Sequence, residues 1–328
     1  MQVMNKTEIK SNKVSYKGGL ASYENLSFRA RLVKDWQRNK TIYLIALLCL
    51  SYYFIFCYAP MGGIMIAFKN YRPARGIWGS DWVGLKYFKQ FFSSHYFGRL
   101  LRNTLLINFY DLLFGFPAPI ILALLLNELV SQRFKRTVQT VTYLPYFISQ
   151  VVICGILLDF LSYEGLINQV INMFGIEKTI FMQDPKYFRT IYVASGIWQG
   201  VGYGSIIYLS ALSGVDPQLL DAAAIDGCNR FQRVWHVTLP AILPTIIIML
   251  ILRVGSIMNV GFEKIILLYN ESIYETSDVI SSFVYRYGLL QGNYSYSTAV
   301  GLFNSIVNFV LLILVNYVSK KVSDISLW

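Results

Sequence analysis

The stretch TIYLIALLCLSYYFIFCYAPMGGIMIAF, residues 41–68, contains no charged side chain. A helix rises about 1.5 Å per residue, so about 20 apolar residues cross a bilayer core of about 30 Å. Residues 41–68 therefore predict a membrane-spanning helix. The composition of all 328 residues agrees, since 55% are hydrophobic and 14% are charged, whereas soluble domains carry about 25% charged residues.

Five more stretches of similar length and hydropathy follow along the chain. With residues 41–68 as span 1, spans 2 to 6 are predicted at about 103–127, 137–158, 190–215, 240–262 and 297–319. Two charged residues interrupt them, Asp111 in span 2 and Arg253 in span 5. The sequence therefore predicts an all-α membrane protein, a six-helix bundle that occupies residues 41–319.

The distribution of basic residues predicts which side of the membrane each loop occupies. Sixteen Lys and Arg residues lie in residues 1–40, in the loops after spans 2 and 4, and in the tail 320–328, against twelve in the opposite loops. Because cytoplasmic loops carry the excess of Lys and Arg, both termini are predicted to be cytoplasmic. Topology and lipid contact thereby account for the net charge of +11, and nucleic acid is not an expected partner.

The basic N-terminal segment, residues 1–40, leaves two alternatives open. Residues 28–37 could form an amphipathic helix that lies on the inner leaflet of the membrane. They could equally belong to a flexible basic tail, and the sequence does not distinguish the two.

Motifs for catalysis or nucleotide binding are absent from the sequence. No Gly-Lys dipeptide occurs, so the chain lacks the phosphate-cradling loop of ATP-binding proteins. Its two His and four scattered Cys residues do not form a metal-binding pattern. We expect neither an enzyme nor a metal or cofactor site in this chain.

The loop at residues 216–239, between spans 4 and 5, carries the strongest local signals. Asp216-Pro217 predicts a helix start, because Asp accepts a hydrogen bond at the N-cap and proline suits the first helical position. A short helix is predicted over residues 218–226. Gly227 follows this helix at a position that favours positive φ.

A second short helix is predicted from Asn229 until Pro240 opens span 5. Together the two helices form a compact protrusion on the side of the membrane that the basic residues assign to the cytoplasm. Small side chains at Ala222 and Ala223 let the surface of another protein approach the backbone of this protrusion closely.

The 216–239 loop resembles the signature of the permease subunits of binding-protein-dependent ABC importers. That signature is an acid and two alanines, three residues, glycine, nine residues and then Ile-x-Leu-Pro. The matching residues are Asp221-Ala222-Ala223, Gly227 and Val237-Thr238-Leu239-Pro240. Asp221 replaces the usual Glu, which shortens the reach of the carboxylate, and Val237 replaces Ile.

The resemblance extends over nearly the whole chain. Ala59-Pro60-Met61-Gly62-Gly63, Trp82-Val83-Gly84-Leu85 and Arg102-Asn103-Thr104-Leu105 are similar to segments of carbohydrate-importer permeases. The similarity is greatest to the branch that imports fragments of complex polysaccharides. The resemblance therefore implies an oligosaccharide as the transported substrate.

The resemblance also implies an assembly in the cell membrane of a bacterium. Its members would be a second homologous permease, two ATPase subunits that hold ATP and Mg²⁺, and an extracellular substrate-binding lipoprotein. The 216–239 loop would be the coupling helix, seated in a groove of an ATPase, with Asp221 facing a basic residue there. The residues implied in this coupling are Asp221, Ala222, Ala223, Asp226, Gly227, Leu239 and Pro240.

Several polar residues fall at one depth in the predicted spans. Counted at about 1.5 Å per residue, Asp111 and Arg253 lie about 12 and 10 Å below the outer surface. Six further residues complete a predicted substrate pathway: Gln150, Trp198, Gln199, Tyr203, Asn259 and Asn304. In this pathway the amides would bind sugar hydroxyls, and Trp198 would offer an apolar face to a sugar ring.

Two structural alternatives remain open for this polar layer. Asp111 and Arg253 could pair with each other between helices, and Gln150 and Asn304 could hold helices together. The alternative function is a secondary, ion-coupled transporter of a small polar solute. Internal repeats are common in such transporters, and the sequence shows no repeat and few acids within its spans.

Overall fold

The computed structural model describes residues 28–323, with side chains described at Trp36 and from 39 to 321. The predictions for residues 1–27 and 324–328 lie outside this range. The chain divides into two units, residues 1–63 and 64–328. The two units are described separately below.

The first unit is a helix that is interrupted once. Phe28–Tyr53 is helical except at Asn39, whose φ of −119° and ψ of 24° break the regular geometry. Residues 28–38 therefore form a helical segment separate from the rest, and their placement on the inner leaflet stays a prediction. The helix continues through the π-helical turn Phe54–Tyr58 and Ala59–Met61. With the 3-10 turn Gly62–Phe68, the apolar stretch predicted as span 1 runs from Asn39 to Phe68.

Spans 2, 5 and 6 are long helices, as predicted. Span 2 comprises His95–Tyr110, the π-helical turn Asp111–Gly115 and Pro117–Asn127, and span 6 is Tyr294–Ser323. Span 5 is the helix Leu239–Gly255, which ends before the predicted limit of 262. Gly255 and Ser256 explain the early end, because glycine is a poor helix former and the Ser256 hydroxyl donates to the Arg253 carbonyl at 3.1 Å.

Span 3 is broken, whereas one continuous helix over 137–158 is predicted from the sequence. The helical segments Gln132–Phe147 and Gln150–Phe160 meet at an angle of 99°. Pro145 lies in the last, 3-10 part of the first segment, and Ile148 is extended. The Ser149 hydroxyl then accepts from the Val152 amide and starts a new helix. The bend thus has two causes in the sequence, a proline followed by an N-cap serine.

Span 4 is the helix Pro185–Ser213, 29 residues long. Within residues 28–323, four helices are long and apolar enough to cross a membrane, and the broken pair of span 3 would make a fifth. Span 4 is not among them, because glycine, serine and Gln199 interrupt its apolar residues. The composition of span 4 suits a helix at the centre of a polar pathway.

Three apolar clusters hold the second unit together. One joins spans 2, 3 and 4 through Ile107, Cys154 and Phe188, and another joins spans 2, 4 and 5. The third surrounds Phe91, whose ring centroid lies 5.1 and 5.6 Å from those of Phe97 and Phe303. This aromatic cluster ties the connection before span 2 to span 6.

Short elements form the connections between the spans. Strands β1 (Lys69–Asn70) and β2 (Asp81–Trp82) pair antiparallel, with Lys69 opposite Trp82. The short helices are Lys86–Phe92, Leu166–Met173, Phe262–Leu268, Tyr274–Ser277 and Ile280–Tyr285, with 3-10 turns at Pro73–Arg75 and Glu271–Ile273 and a π-helical turn at Arg286–Leu290. The helices of the 216–239 loop are described with the functional site.

Span 4 approaches the first segment of span 3 so closely that only glycine fits at the crossing. A Cβ atom on Gly202 would lie 2.1 Å from the carbonyl oxygen of Thr142. We expect Gly202→Ala to destabilise the protein by about 1–3 kcal/mol, because the two backbones must separate. Thermal unfolding of the purified protein measures this effect. Gly200→Ala on the same helix is the control, since its Cβ would meet no described atom within 4 Å. Equal melting of the two variants contradicts the prediction.

Candidate functional site

A polar cavity of about 550 Å³ lies where spans 2, 4 and 5 meet the second segment of span 3. Five of the eight residues predicted for the pathway line it: Asp111, Gln150, Gln199, Arg253 and Asn259. These side chains come from four separate parts of the sequence. The depth count therefore identified residues that the fold does bring together.

Asp111 and Arg253 form an ion pair on the wall of the cavity. Asp111 opens the π-helical turn of span 2, and Arg253 lies in the last turn of span 5. Gly115 leaves the space that the carboxylate occupies, since a Cβ there would lie 2.5 Å from Asp111 Oδ1. The alternative in which the two charges neutralise each other between helices is thus the arrangement observed.

Asn304 holds Asn259 in place but does not line the cavity. Its amide nitrogen donates to Asn259 Oδ1 at 3.2 Å, and Asn308 donates to the same oxygen at 3.0 Å. Asn308 also accepts from the Met258 amide at 2.9 Å. Asn304 therefore links span 6 to the connection after span 5, close to the structural role that was its alternative, and it orients an amide that does reach the cavity.

Trp198 and Tyr203 are not brought to the cavity in the part of the chain that is described. The Trp198 side chain is 50% exposed. Tyr203 stacks on Tyr146, with ring centroids 3.8 Å apart and an interplanar angle of 2°. Depth along a helix does not fix the face, because successive residues are rotated by about 100°. Gln199 reaches the cavity and its neighbour Trp198 points elsewhere.

Sequence reasoning missed four polar residues that also line the cavity: Asn108, Tyr192, Glu263 and Lys264. Lys264 is only 6% exposed, and its amine donates to the Tyr192 carbonyl at 2.8 Å. Burial lowers the pKa of the Lys264 amine to about 8. Lys264 follows the predicted end of span 5 by two residues, so the search within the spans excluded it.

The 216–239 loop is folded as its local signals predict. Asp216 Oδ1 accepts from the Gln218 amide at 2.9 Å and starts the helix Pro217–Ile225. Gly227 has a φ of +79°. The helix Arg230–Arg233 then begins with a capping box between Asn229 and Gln232. Each of these features depends on residues that lie close together in the sequence.

The second helix of the loop was predicted to end where Pro240 opens span 5, but it continues past this residue. Arg230–Arg233 continues through the π-helical turn Val234–Thr238 into Leu239–Gly255. The Leu239 amide bonds the Val234 carbonyl in this turn. The wider π-helical turn accommodates the proline, which has no amide hydrogen to donate. The loop and span 5 are therefore one continuous helical segment.

The protrusion presents acidic and apolar side chains to its surroundings. Asp221, Ala222 and Asp226 are exposed, while Ala223 is buried, so only one of the two small residues offers a surface to a partner. Large apolar side chains lie beside them, with Ile225 87% exposed and the exposed rings of Phe231 and Trp235 stacked. Leu239 is half-buried and Pro240 exposed. Exposed apolar side chains in such a group are typical of an interaction surface.

Comparison with known proteins relates this architecture to membrane transport. Residues 115–324 match the family model described as "Binding-protein-dependent transport system inner membrane component". Protein LplB of Bacillus subtilis (strain 168) is 46% identical over 303 residues, which cover 92% of this chain and 94% of LplB. The polygalacturonan/rhamnogalacturonan transport system permease protein YteP of the same organism is 43% identical over 297 residues, or 90% and 92% of the two chains.

Solved structures show the same fold. A chain in the crystal structure of a bacterial ABC transporter involved in the import of the acidic polysaccharide alginate is 41% identical, with a TM-score of 0.84. The match covers 89% of this chain and 99% of that one. A chain of the bacterial alginate ABC transporter in complex with an alginate pentasaccharide-bound periplasmic protein is 40% identical, again with a TM-score of 0.84, and covers 90% and 100% of the two chains.

Proposed function

The chain belongs to the family of binding-protein-dependent transport system inner membrane components, and from this premise we propose that it forms half of the membrane pathway of an ATP-driven oligosaccharide importer. As such a component with several apolar spans, it is a multi-pass protein of the cytoplasmic membrane. The named relatives YteP and the alginate transporter support a fragment of a complex polysaccharide as the substrate.

The observation that carries the proposal is the polar cavity between the spans. Side-chain amides of Gln150, Gln199 and Asn259 converge on it. Asn259, whose Oδ1 already accepts from Asn304 and Asn308, can still donate a hydrogen bond. Gln150 and Gln199 can each donate and accept. Sugar hydroxyls have the same double capacity. The volume of about 550 Å³ falls within the range of small-molecule sites, about 300–1,000 Å³.

The 216–239 loop is proposed to couple this pathway to ATP hydrolysis on separate subunits. It would lie on the cytoplasmic side with both termini and seat in a groove of an ATPase. Asp221 and Asp226 would meet basic residues there, and the exposed side chain of Ile225 would enter an apolar part of the groove. Ala222 permits close approach, while Gly227, Leu239 and Pro240 fix the shape of the protrusion. ATP and Mg²⁺ would be held by the ATPase subunits.

Beyond this chain, the proposed assembly contains a second homologous permease, two ATPases and an extracellular substrate-binding lipoprotein, and it lies in the lipid bilayer.

The secondary-transporter alternative would need a free acidic group for ion coupling. Asp111, the acid within span 2, is instead paired with Arg253, and this pairing favours an ATP-driven importer over an ion-coupled transporter.

Reconstitution of the complete importer in liposomes tests the proposal. We expect ATP hydrolysis to rise when the binding protein and an oligosaccharide are added together. Gln199→Ala should raise the half-saturating concentration of the saccharide about 2- to 10-fold, because a hydrogen bond contributes about 0.5–1.5 kcal/mol. Trp198→Phe, at the neighbouring residue that does not line the cavity, is the control and should leave this concentration unchanged. ATP hydrolysis that is indifferent to the binding protein contradicts the proposed function.

A further inference from the structure

The cavity holds one buried cation without a counter-ion. This cation is Lys264, of which only 6% is exposed. Among the side chains that the structure describes, no carboxylate pairs with its amine, which donates to the Tyr192 carbonyl and lies 4.7 Å from the centre of the Tyr192 ring. A buried ammonium group is costly unless it is paired. The carbonyl uses one of its three N–H donors, and two remain for a ligand.

The groups around Lys264 leave its charge available. Glu263 also lines the cavity, but its side chain is exposed, and adjacent residues of a helix do not face each other. Asp111 is paired with Arg253. Cys154 and Tyr192, from span 3 and span 4, are the other titratable groups near the amine, and neither carries a carboxylate that could pair with it. The potential inside the cavity is therefore positive beside Lys264.

We propose that Lys264 recognises the charge of the substrate by binding the carboxylate of a uronic acid unit in the transported oligosaccharide. This inference rests on the proposed function and adds the substrate class and the residue that selects it. The amides of Gln150, Gln199 and Asn259 are then left for the hydroxyls of the same sugar. Arg253, which the sequence alone offered for this role, is occupied by Asp111.

The titration of Lys264 provides a second test of the proposal, through the pH dependence of binding. Because burial lowers the pKa of its amine to about 8, the amine is charged below pH 8 and neutral above it. Binding of a carboxylate should therefore weaken as the pH rises from 7 to 9. An arginine at this position stays charged throughout that range, so its pH profile should be flat.

The test uses the complete importer in liposomes with trigalacturonate and its fully methyl-esterified form, which has the same chain length and hydroxyl groups but no charge. The variants are Lys264→Gln, which keeps an amide donor for the Tyr192 carbonyl, and Lys264→Arg, which keeps the charge. We expect Lys264→Gln to raise the half-saturating concentration of trigalacturonate at least tenfold at pH 7, with little change for the ester. Lys264→Arg should retain most of the wild-type response and lose its dependence on pH between 7 and 9.

The variants share one binding protein, so differences between them report on the permease alone. Equal responses of wild type and Lys264→Gln to trigalacturonate overturn the inference and leave the importer intact. A wild-type importer that responds to the ester or to maltotriose but not to trigalacturonate also overturns it. If no saccharide stimulates the wild-type assembly, the proposed function itself fails. Should Lys264→Gln not fold, the wild-type pH profile decides, because a flat profile for trigalacturonate contradicts the role of the Lys264 charge.

Discussion

Replacing Asp278 with alanine should lower the free energy of unfolding by about 3–5 kcal/mol, because two arginines would lose their shared counter-ion. Asp278 is fully buried. Its Oδ2 accepts from Arg99 at 3.1 Å and from Arg286 at 2.8 Å, and its Oδ1 accepts from the Ser282 hydroxyl at 2.9 Å. Asn103 donates to its carbonyl oxygen at 3.0 Å. One carboxylate thus joins the N-terminal end of span 2 to the connection before span 6.

Thermal unfolding of the purified permease in detergent measures the effect of Asp278→Ala. Asp81→Asn is the control, because the ion pair of Asp81 with Arg75 is long, 3.7 Å, and both side chains are more than half exposed. Exposed pairs contribute about 0–1 kcal/mol, so this variant should melt close to wild type. Asp278→Asn should fall between them, since an amide oxygen can still accept from one arginine. If Asp278→Ala melts with Asp81→Asn, the buried carboxylate does not hold these elements together.

The Asp278 cluster shows what sequence reasoning could not reach. Arg99 and Asp278 are 179 residues apart, and Asn103 and Asp278 are 175 apart. Neither separation leaves a periodic or local signal. Each of these residues also lies at or beyond the end of a predicted span, where a charged side chain passes for an ordinary loop residue. Only the folded arrangement shows that one acid neutralises two bases there.

The 216–239 loop was predictable for the opposite reason. Its helix start at Asp216, its turn at Gly227 and its position between two spans all follow from neighbouring residues. Pro145 and Ser149 also indicate the break of span 3 locally, as a helix-ending proline and an N-cap serine. The prediction of one continuous helix relied on hydropathy and did not use these two signals. Apolar composition reports that a segment is buried in lipid or protein, and it does not report whether the segment is straight.

The pathway residues fall between these two cases. Counting residues gives the height of a side chain along a span, and height grouped Asp111, Gln150, Gln199 and Arg253, which do line one cavity. The direction of each side chain depends on the rotation of its helix against its neighbours, which long-range packing sets. Trp198 was therefore misplaced although its neighbour Gln199 was not, and Lys264 was missed because it lies two residues beyond the predicted end of span 5.

Changing Gly227 to valine is expected to lower binding-protein-stimulated ATP hydrolysis by the assembled importer at least tenfold. Gly227 has a φ of +79°, and a Cβ there would meet no described atom within 4 Å. The change therefore acts through the backbone alone, and a non-glycine residue in this conformation costs about 1–3 kcal/mol. The turn should relax to a different conformation and carry the helix Pro217–Ile225 out of its proposed seat. ATPase subunits that co-purify with the permease should be lost in parallel.

Gly175→Val provides a control with the same strain at a different place. Gly175 has a φ of +78°, and its Cβ would also meet no described atom within 4 Å. It follows the helix Leu166–Met173 in the connection before span 4, which the basic residues assign to the outer side of the membrane. Because the backbone penalty is matched, any difference between the two variants reflects position rather than stability. Gly175→Val should keep its ATPase subunits and its stimulated rate. If both variants lose activity equally, or Gly227→Val retains it, the 216–239 loop does not transmit the work of the ATPases to this chain.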